Sequence, residues 1–210
     1  MIERSMMIRT IVGTILFTLT AMMVAACTDD PVAPTTPVDT TVVAKQNMHP
    51  DSVEGWLYYS IDGDSVVPAA KSVSVEWDVR MAYLLCCGNT RVIKIQLNSG
   101  NVGPGSTQGV IVKSRFENVT ALPSSSVLRN DDTLAQIVPQ QVIGSEALFI
   151  YQGSPNHTIQ PSPDKVIAIR TRKGRLVKFQ FTSIYEGAPA TPTQETPIGF
   201  YHFRYAQLSQ

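Results

Sequence analysis

The stretch that most constrains this chain is Lys165 to Thr182, KVIAIRTRKGRLVKFQFT, two β-rich arms around a glycine. Its register follows from the side chains. With Arg172-Lys173-Gly174 as a three-residue loop and Gly174 left-handed, Thr171 faces Arg175, Ile169 faces Val177 and Ile167 faces Phe179, which lines one face with apolar groups. A two-residue loop sets Arg170 against Val177 and Ile169 against Lys178, mixing charge into both faces. The three-residue loop is therefore expected, and with it an antiparallel sheet.

The chain around this hairpin divides into three parts. Residues 1–26 read as an export signal. Arg4 and Arg9 precede an apolar run that is too short and too rich in Thr for a comfortable membrane span. Val24-Ala25-Ala26-Cys27 has the form of a bacterial lipobox, which makes Cys27 the acylated N-terminus of the mature protein and ties it to a membrane. An ordinary signal peptide or a single membrane helix that happens to end in Cys is the plainer alternative. Residues 27–50 carry Pro31, Pro34, Pro37 and Pro50 among threonines and are expected to be a disordered tether. Acidic Asp29 and Asp30, just after the cysteine, are compatible with surface export and equally with a solvated linker. Residues 51–210 form the folded domain, long enough for a core that needs no disulfide scaffold.

The charge balance excludes one class of partner. The full chain is formally neutral, with 17 basic and 17 acidic residues. Removing Arg4, Arg9 and Glu3 leaves 15 basic against 16 acidic residues. No basic face is advertised, so no nucleic-acid partner is expected.

Within the domain the pattern is β throughout. Trp56, Tyr58 and Ser60 alternate with Leu57, Tyr59 and Ile61, so both faces of that strand can be covered. Asp62-Gly63-Asp64 is a turn before Ser65-Val66-Val67, and the later ligands of a calcium loop are missing. Val73, Val75 and Trp77 alternate strictly and predict a strand from Lys71 to Leu85. Trp77 reads as a core anchor, and Asp78 as a group that satisfies backbone donors or a nearby Arg. Thr90 to Leu97 is another strand. The glycines at 100, 103, 105 and 109 lie in a loop that returns to strand at Val110, without the helix or Lys-Ser/Thr of a phosphate cradle. Residues 131–143 are expected to hold one short helical turn capped by Asp131 or Asp132. Glu146 to Tyr151 is a strand, Gln152 to Pro163 a long loop, and Tyr201, Phe203 and Tyr205 share a face of the closing strand. The adjacent Cys86 and Cys87 could close only a strained vicinal disulfide; a loop disulfide or plain thiols are the simpler readings.

Five pieces, in order, resemble the HmuY-like family of bacterial surface lipoproteins. They are Trp56-Tyr58-Tyr59-Ser60 with Gly63 and Val66; Trp77-Asp78-Val79; Asn98-Ser99-Gly100 with Gly103, Gly105 and Gly109; Arg170-Thr171 with Gly174 and Lys178; and Phe203 with Tyr205. The resemblance covers about residues 53–210. It implies an all-β fold of mostly antiparallel strands with long loops and little helix. It also implies an outer-membrane, surface-exposed lipoprotein that binds haem or a related tetrapyrrole and hands it to an outer-membrane receptor.

One residue carries over as a ligand. His157 lies in the loop entering the signature hairpin, where haem-binding relatives can place an axial ligand, and it is the expected haem iron ligand. The family's second ligand often lies in the middle region, and between Lys113 and Phe149 this chain has neither His nor Met. A water, a Tyr, Met48 or Met81 could complete the site, or nothing. His202 is expected to be solvated or locally paired beside Arg204, and His49 sits in the tether. With three histidines in all, no plausible Ser-His-Asp set, no paired carboxylates and no nucleotide motif, the chain is not expected to be an enzyme. A non-haem ligand-binding or adhesion domain on the same scaffold is the alternative.

Overall fold

Two antiparallel sheets carry the fold in the computed structural model, which describes residues 41–210 apart from 53, 54, 87–89 and 210. The larger has the order β1-β12-β11-β10-β6-β7, and the smaller β3-β2-β4-β5. In the larger lie β1 (Val43–Met48), β6 (Gln108–Val112), β7 (Arg129–Asn130), β10 (Val166–Arg170), β11 (Leu176–Tyr185) and β12 (Ile198–Gln207). The smaller contains β2 (Leu57–Ser60), β3 (Ser65–Val67), β4 (Val79–Leu85) and β5 (Arg91–Leu97). A separate hairpin pairs β8 (Phe149–Tyr151) with β9 (Ile159–Pro161). Helix among the described residues is limited to two 3₁₀ turns, Ala69–Lys71 and Phe116–Asn118. The all-β expectation holds.

The signature hairpin pairs Ile167 with Phe179 and Ile169 with Val177, and Thr171 N–H donates to Arg175 O at 2.8 Å. Gly174 has φ +84°. Both agree with the three-residue loop. Ile167, Ile169, Val177 and Phe179 point inward, where they meet Leu57, Tyr59, Val79, Met81, Ile93 and Ile95 from the smaller sheet. This packing of one inner face on the other is what holds the sheets together, each fully buried large side chain contributing about 1.5–3 kcal/mol. The outer face of β10 is covered too: Val166 and Ala168 join Val112, Phe116, Val119 and Leu208 in a second cluster. That double burial explains why β10 reads as an unbroken apolar run. All four residues of β2 are buried for the same reason, with Tyr58 packing on Trp77 and Val67 on the far side.

The residues that carry the family resemblance turn out to be fasteners between strands. Asp78 is fully buried and accepts from Ile61 N–H (2.8 Å), Asp62 N–H (3.3 Å), Thr107 Oγ1 (3.1 Å) and Arg172 N–H (3.4 Å). One carboxylate thus ties the smaller sheet to the β10–β11 turn. Burial and then the neighbouring Asp62 charge push its pKa up, partly offset by the backbone donors. Asp62 in turn accepts from Thr171 Oγ1 and Lys173 N–H. Asn98 holds the glycine loop: its Nδ2 donates to Ser74 O and Trp77 O, and its Oδ1 accepts from Gly105 N–H. Lys178 donates to Phe116 O at 2.7 Å and stands 4.3 Å over the Phe116 ring. Asp64 accepts from Tyr59, Tyr205 and Lys45, so both acids of the Asp62-Gly63-Asp64 turn are engaged by protein donors rather than arranged for calcium.

Several expectations are corrected. The tether does not extend to residue 50, because Val43–Met48 is β1 and pairs with β12. Lys45–Asp64 (2.8 Å) and the bond from Asn47 N–H to His202 Nδ1 (3.4 Å) add to that ladder. Val73 and Val75 are not in a strand: a 3₁₀ turn and bends precede Val79, and the two side chains are exposed. No helical turn forms at 131–143, where the described backbone has only bends. The Asp131 carboxylate instead accepts from Leu97 N–H and Ile137 N–H, pinning the loop against β5. The long loop after Tyr151 is interrupted by β9. Cys86 is exposed at the end of β4; Cys87, and with it the question of a vicinal pair, lies outside the described residues, as do the signal segment and Cys27.

Candidate functional site

The three histidines occupy three different settings. His157 sits in the turn between β8 and β9, which is closed by Gln152 N–H to Thr158 O (2.8 Å) and His157 N–H to Gly153 O (2.7 Å). The turn places His157 at φ +50°. This brings its ring to Tyr151, the last residue of β8, with centroids 5.9 Å apart and Nδ1 hydrogen-bonded to the phenol Oη. Both side chains are exposed. Tyr151 N–H donates to Val142 O (2.8 Å), so the exposed Ile143 lies beside the same strand.

The chemistry of this pair is defined by which nitrogen is engaged. Where Nδ1–H donates to Oη, Nε2 keeps its lone pair, and a held imidazole of this kind is the usual form of a metal-bound histidine. Among the described residues no three His, Cys, Asp or Glu side chains gather to hold a bare ion. The donor set therefore suits a group that brings its own four ligands and needs one more, as a metallated macrocycle does. The apolar side chains next to it, Ile143 and Tyr151, are exposed. Met81 is fully buried in the core, so its thioether is not presented to an outside ligand, and Met48 is partly buried against the same core.

His202 is buried, contrary to the expectation of a solvated side chain. Its Nε2–H donates to Tyr185 O at 2.9 Å, and its Nδ1 accepts from Asn47 N–H. Both nitrogens are thus used in joining β1, β11 and β12. Burial lowers its pKa below the ordinary 6.5, opposed by the Tyr185 carbonyl. This histidine is a fastener and has no role as a ligand.

His49 was assigned to the tether, and the structure places it instead at a cleft of about 280 Å³. The walls are Tyr83 from β4 and Ile198, Gly199 and Phe200 from β12, with Pro50, Asp51 and Ser52 along one side. The His49 ring lies 5.0 Å from that of Phe200, tilted by 52°. Sequence reasoning missed this site because the Pro/Thr-rich composition runs unbroken into the strand. The β-branched run Thr40-Thr41-Val42-Val43 was the available signal. A larger, polar cleft of about 390 Å³ lies between Arg115, Glu117, Gln180 and Arg204. Its charges are already matched, Arg204 to Glu117 at 2.8 Å and Arg115 to Asp164 at 3.3 Å.

No protein-family model matches the chain, and no curated protein matches it in sequence. Solved structures do. One is a candidate HmuY-like haem-binding protein from Bacteroides vulgatus, 14% identical over 80% of this chain and 92% of that one, with a TM-score of 0.48. Another is the apo HmuY analogue of Tannerella forsythia, 11% identical over 85% of this chain and 100% of that one, with a TM-score of 0.47. The likeness is to HmuY-like proteins. A candidate lipoprotein from Bacteroides fragilis is also similar, 12% identical over 79% of this chain and 87% of that one, with a TM-score of 0.40. At such identities and scores these HmuY-like neighbours transfer no ligand and no residue role.

Proposed function

We propose that this chain is a lipoprotein, anchored through Cys27 to the outer membrane and facing the surface or the periplasm, that binds haem or a related tetrapyrrole at His157 and passes it to an outer-membrane receptor. The reading rests on the ordered motifs that resemble the HmuY-like family and on one observation of the site. Tyr151 Oη hydrogen-bonds His157 Nδ1 on an exposed, partly apolar hairpin, and in the tautomer with the proton on Nδ1 this leaves Nε2 as the iron ligand.

Titrating haemin into the protein tests this directly. A sharpened Soret band is expected, with affinity falling by at least about tenfold in His157→Ala and by about 10- to 100-fold in Tyr151→Phe, the usual cost of losing an orienting partner. A flat titration at micromolar protein removes haem from the account. The anchor is tested separately: Cys27→Ser should release the protein from the membrane fraction.

A second reading, a non-haem binding or adhesion domain, is favoured by a different observation. None of the clefts described above is lined by His157, and the most apolar of them lies at His49.

A further inference from the structure

We propose that the cleft at His49 is a binding site, separate from His157, for a small flat aromatic amine. Its size, walls and charge each narrow the occupant. At about 280 Å³ it falls just below the roughly 300–1,000 Å³ of ordinary small-molecule sites, room for one or two fused rings. Two of its walls are aromatic, Tyr83 and Phe200, and Ile198 and Pro50 add apolar surface, so a planar ring gains edge and face contacts.

The polar side of the cleft accepts hydrogen bonds. His49 Nδ1 lies 2.9 Å from Pro50 O, and a carbonyl can only accept, so Nδ1 carries the proton and Nε2 of the neutral ring is an acceptor. Asp51 adds a carboxylate at the rim. A ligand with an N–H in its ring and an ammonium on a short arm meets both. The matched charges of the Arg115–Arg204 cleft offer no comparable excess of one sign.

Tryptamine is the probe, with indole-3-acetate as its oppositely charged counterpart. Calorimetric titration of the full chain in phospholipid nanodiscs, blanked with empty discs, should show saturable tryptamine binding and much weaker binding of indole-3-acetate. Phe200→Ala and Phe200→Leu should each weaken tryptamine by about tenfold, the second keeping bulk while removing the ring. Asp51→Asn should abolish the preference between the two probes. Leu134→Ala, on an exposed loop, is the neutral control, and circular dichroism checks that each variant is folded. No saturable heat with tryptamine at millimolar concentration overturns the proposal, as does equal binding of both probes or undiminished binding in both folded Phe200 variants. Because the site makes no use of His157, its loss leaves the haem reading intact, and a flat haemin titration leaves this one intact.

Discussion

Single side chains in this protein divide sharply into those whose surroundings require them and those whose surroundings do not. Tyr201 is of the second kind. Its ring fills core space against Phe181, but its hydroxyl is buried without a partner among the described residues. Tyr201→Phe keeps the ring and removes the unpaired group, so stability should rise by up to about 1 kcal/mol, read from a urea melt as a higher midpoint at unchanged slope. Two glycines make the opposite point. Gly174 has φ +84° with open space where a Cβ would stand, so Gly174→Ala pays only for the left-handed backbone, about 1–2 kcal/mol. At Gly100 the same φ problem is joined by Asp131 O, 2.0 Å from the would-be Cβ. Gly100→Ala should therefore cost clearly more than Gly174→Ala in the same melt. Gly174 was legible from the hairpin pattern alone. The need at Gly100 was not, because it comes from a loop more than thirty residues away.

Strand β1 is held in part by groups that titrate. Its two side-chain latches are the Lys45–Asp64 pair and the Asn47–His202 bond. His202 has a folded pKa below its ordinary value, so the unfolded chain binds more protons in that window. Its contribution is complete above about pH 6.5 and is lost as pH falls through the folded value. Burial raises Asp64, but hydrogen bonds from Lys45, Tyr205 and Tyr59 outweigh it and hold its pKa below 3.8; that contribution goes only at stronger acidity. Protection factors of the β1 amides, which correct for the intrinsic slowing of exchange in acid, should therefore fall first below about pH 6.5, ahead of β10 and β11, and His202→Gln should flatten that step. Uniform exchange across the sheet would contradict this. The strand escaped the sequence reading because it follows a proline-rich arm without a break. The alternation at Val73 and Val75 misled in the other direction: both valines are exposed on a bent segment while Ser72 and Ser74 are half-buried, and only Trp77 is anchored.

At the scale of the molecule, the two sheets are coupled by shared aromatic packing and by the carboxylates of Asp62, Asp64 and, most deeply buried, Asp78. Asp78→Ala leaves Ile61 N–H, Thr107 Oγ1 and Arg172 N–H without their acceptor, and should cost roughly 3 kcal/mol or more. In a domain of this size that corresponds to about 6–12 °C in Tm, measured by calorimetry as one cooperative transition displaced downward. The role of Asp78 was readable in advance, since a lone buried acid beside a tryptophan has donors to satisfy before it has chemistry to do. The fate of His202 was not, because the strand across from it, β1, had not been recognised.

Strand β1 also decides where traction is felt. A pull applied at Val43 loads the β1 ladder before any other, because β1 is an edge strand of the larger sheet. Its bulge between Lys45 and Met48 and its two latches set the force at which β1 peels away. Peeling would carry His49 off the wall it forms with Phe200, making the shape of that cleft responsive to tension as well as to chemistry.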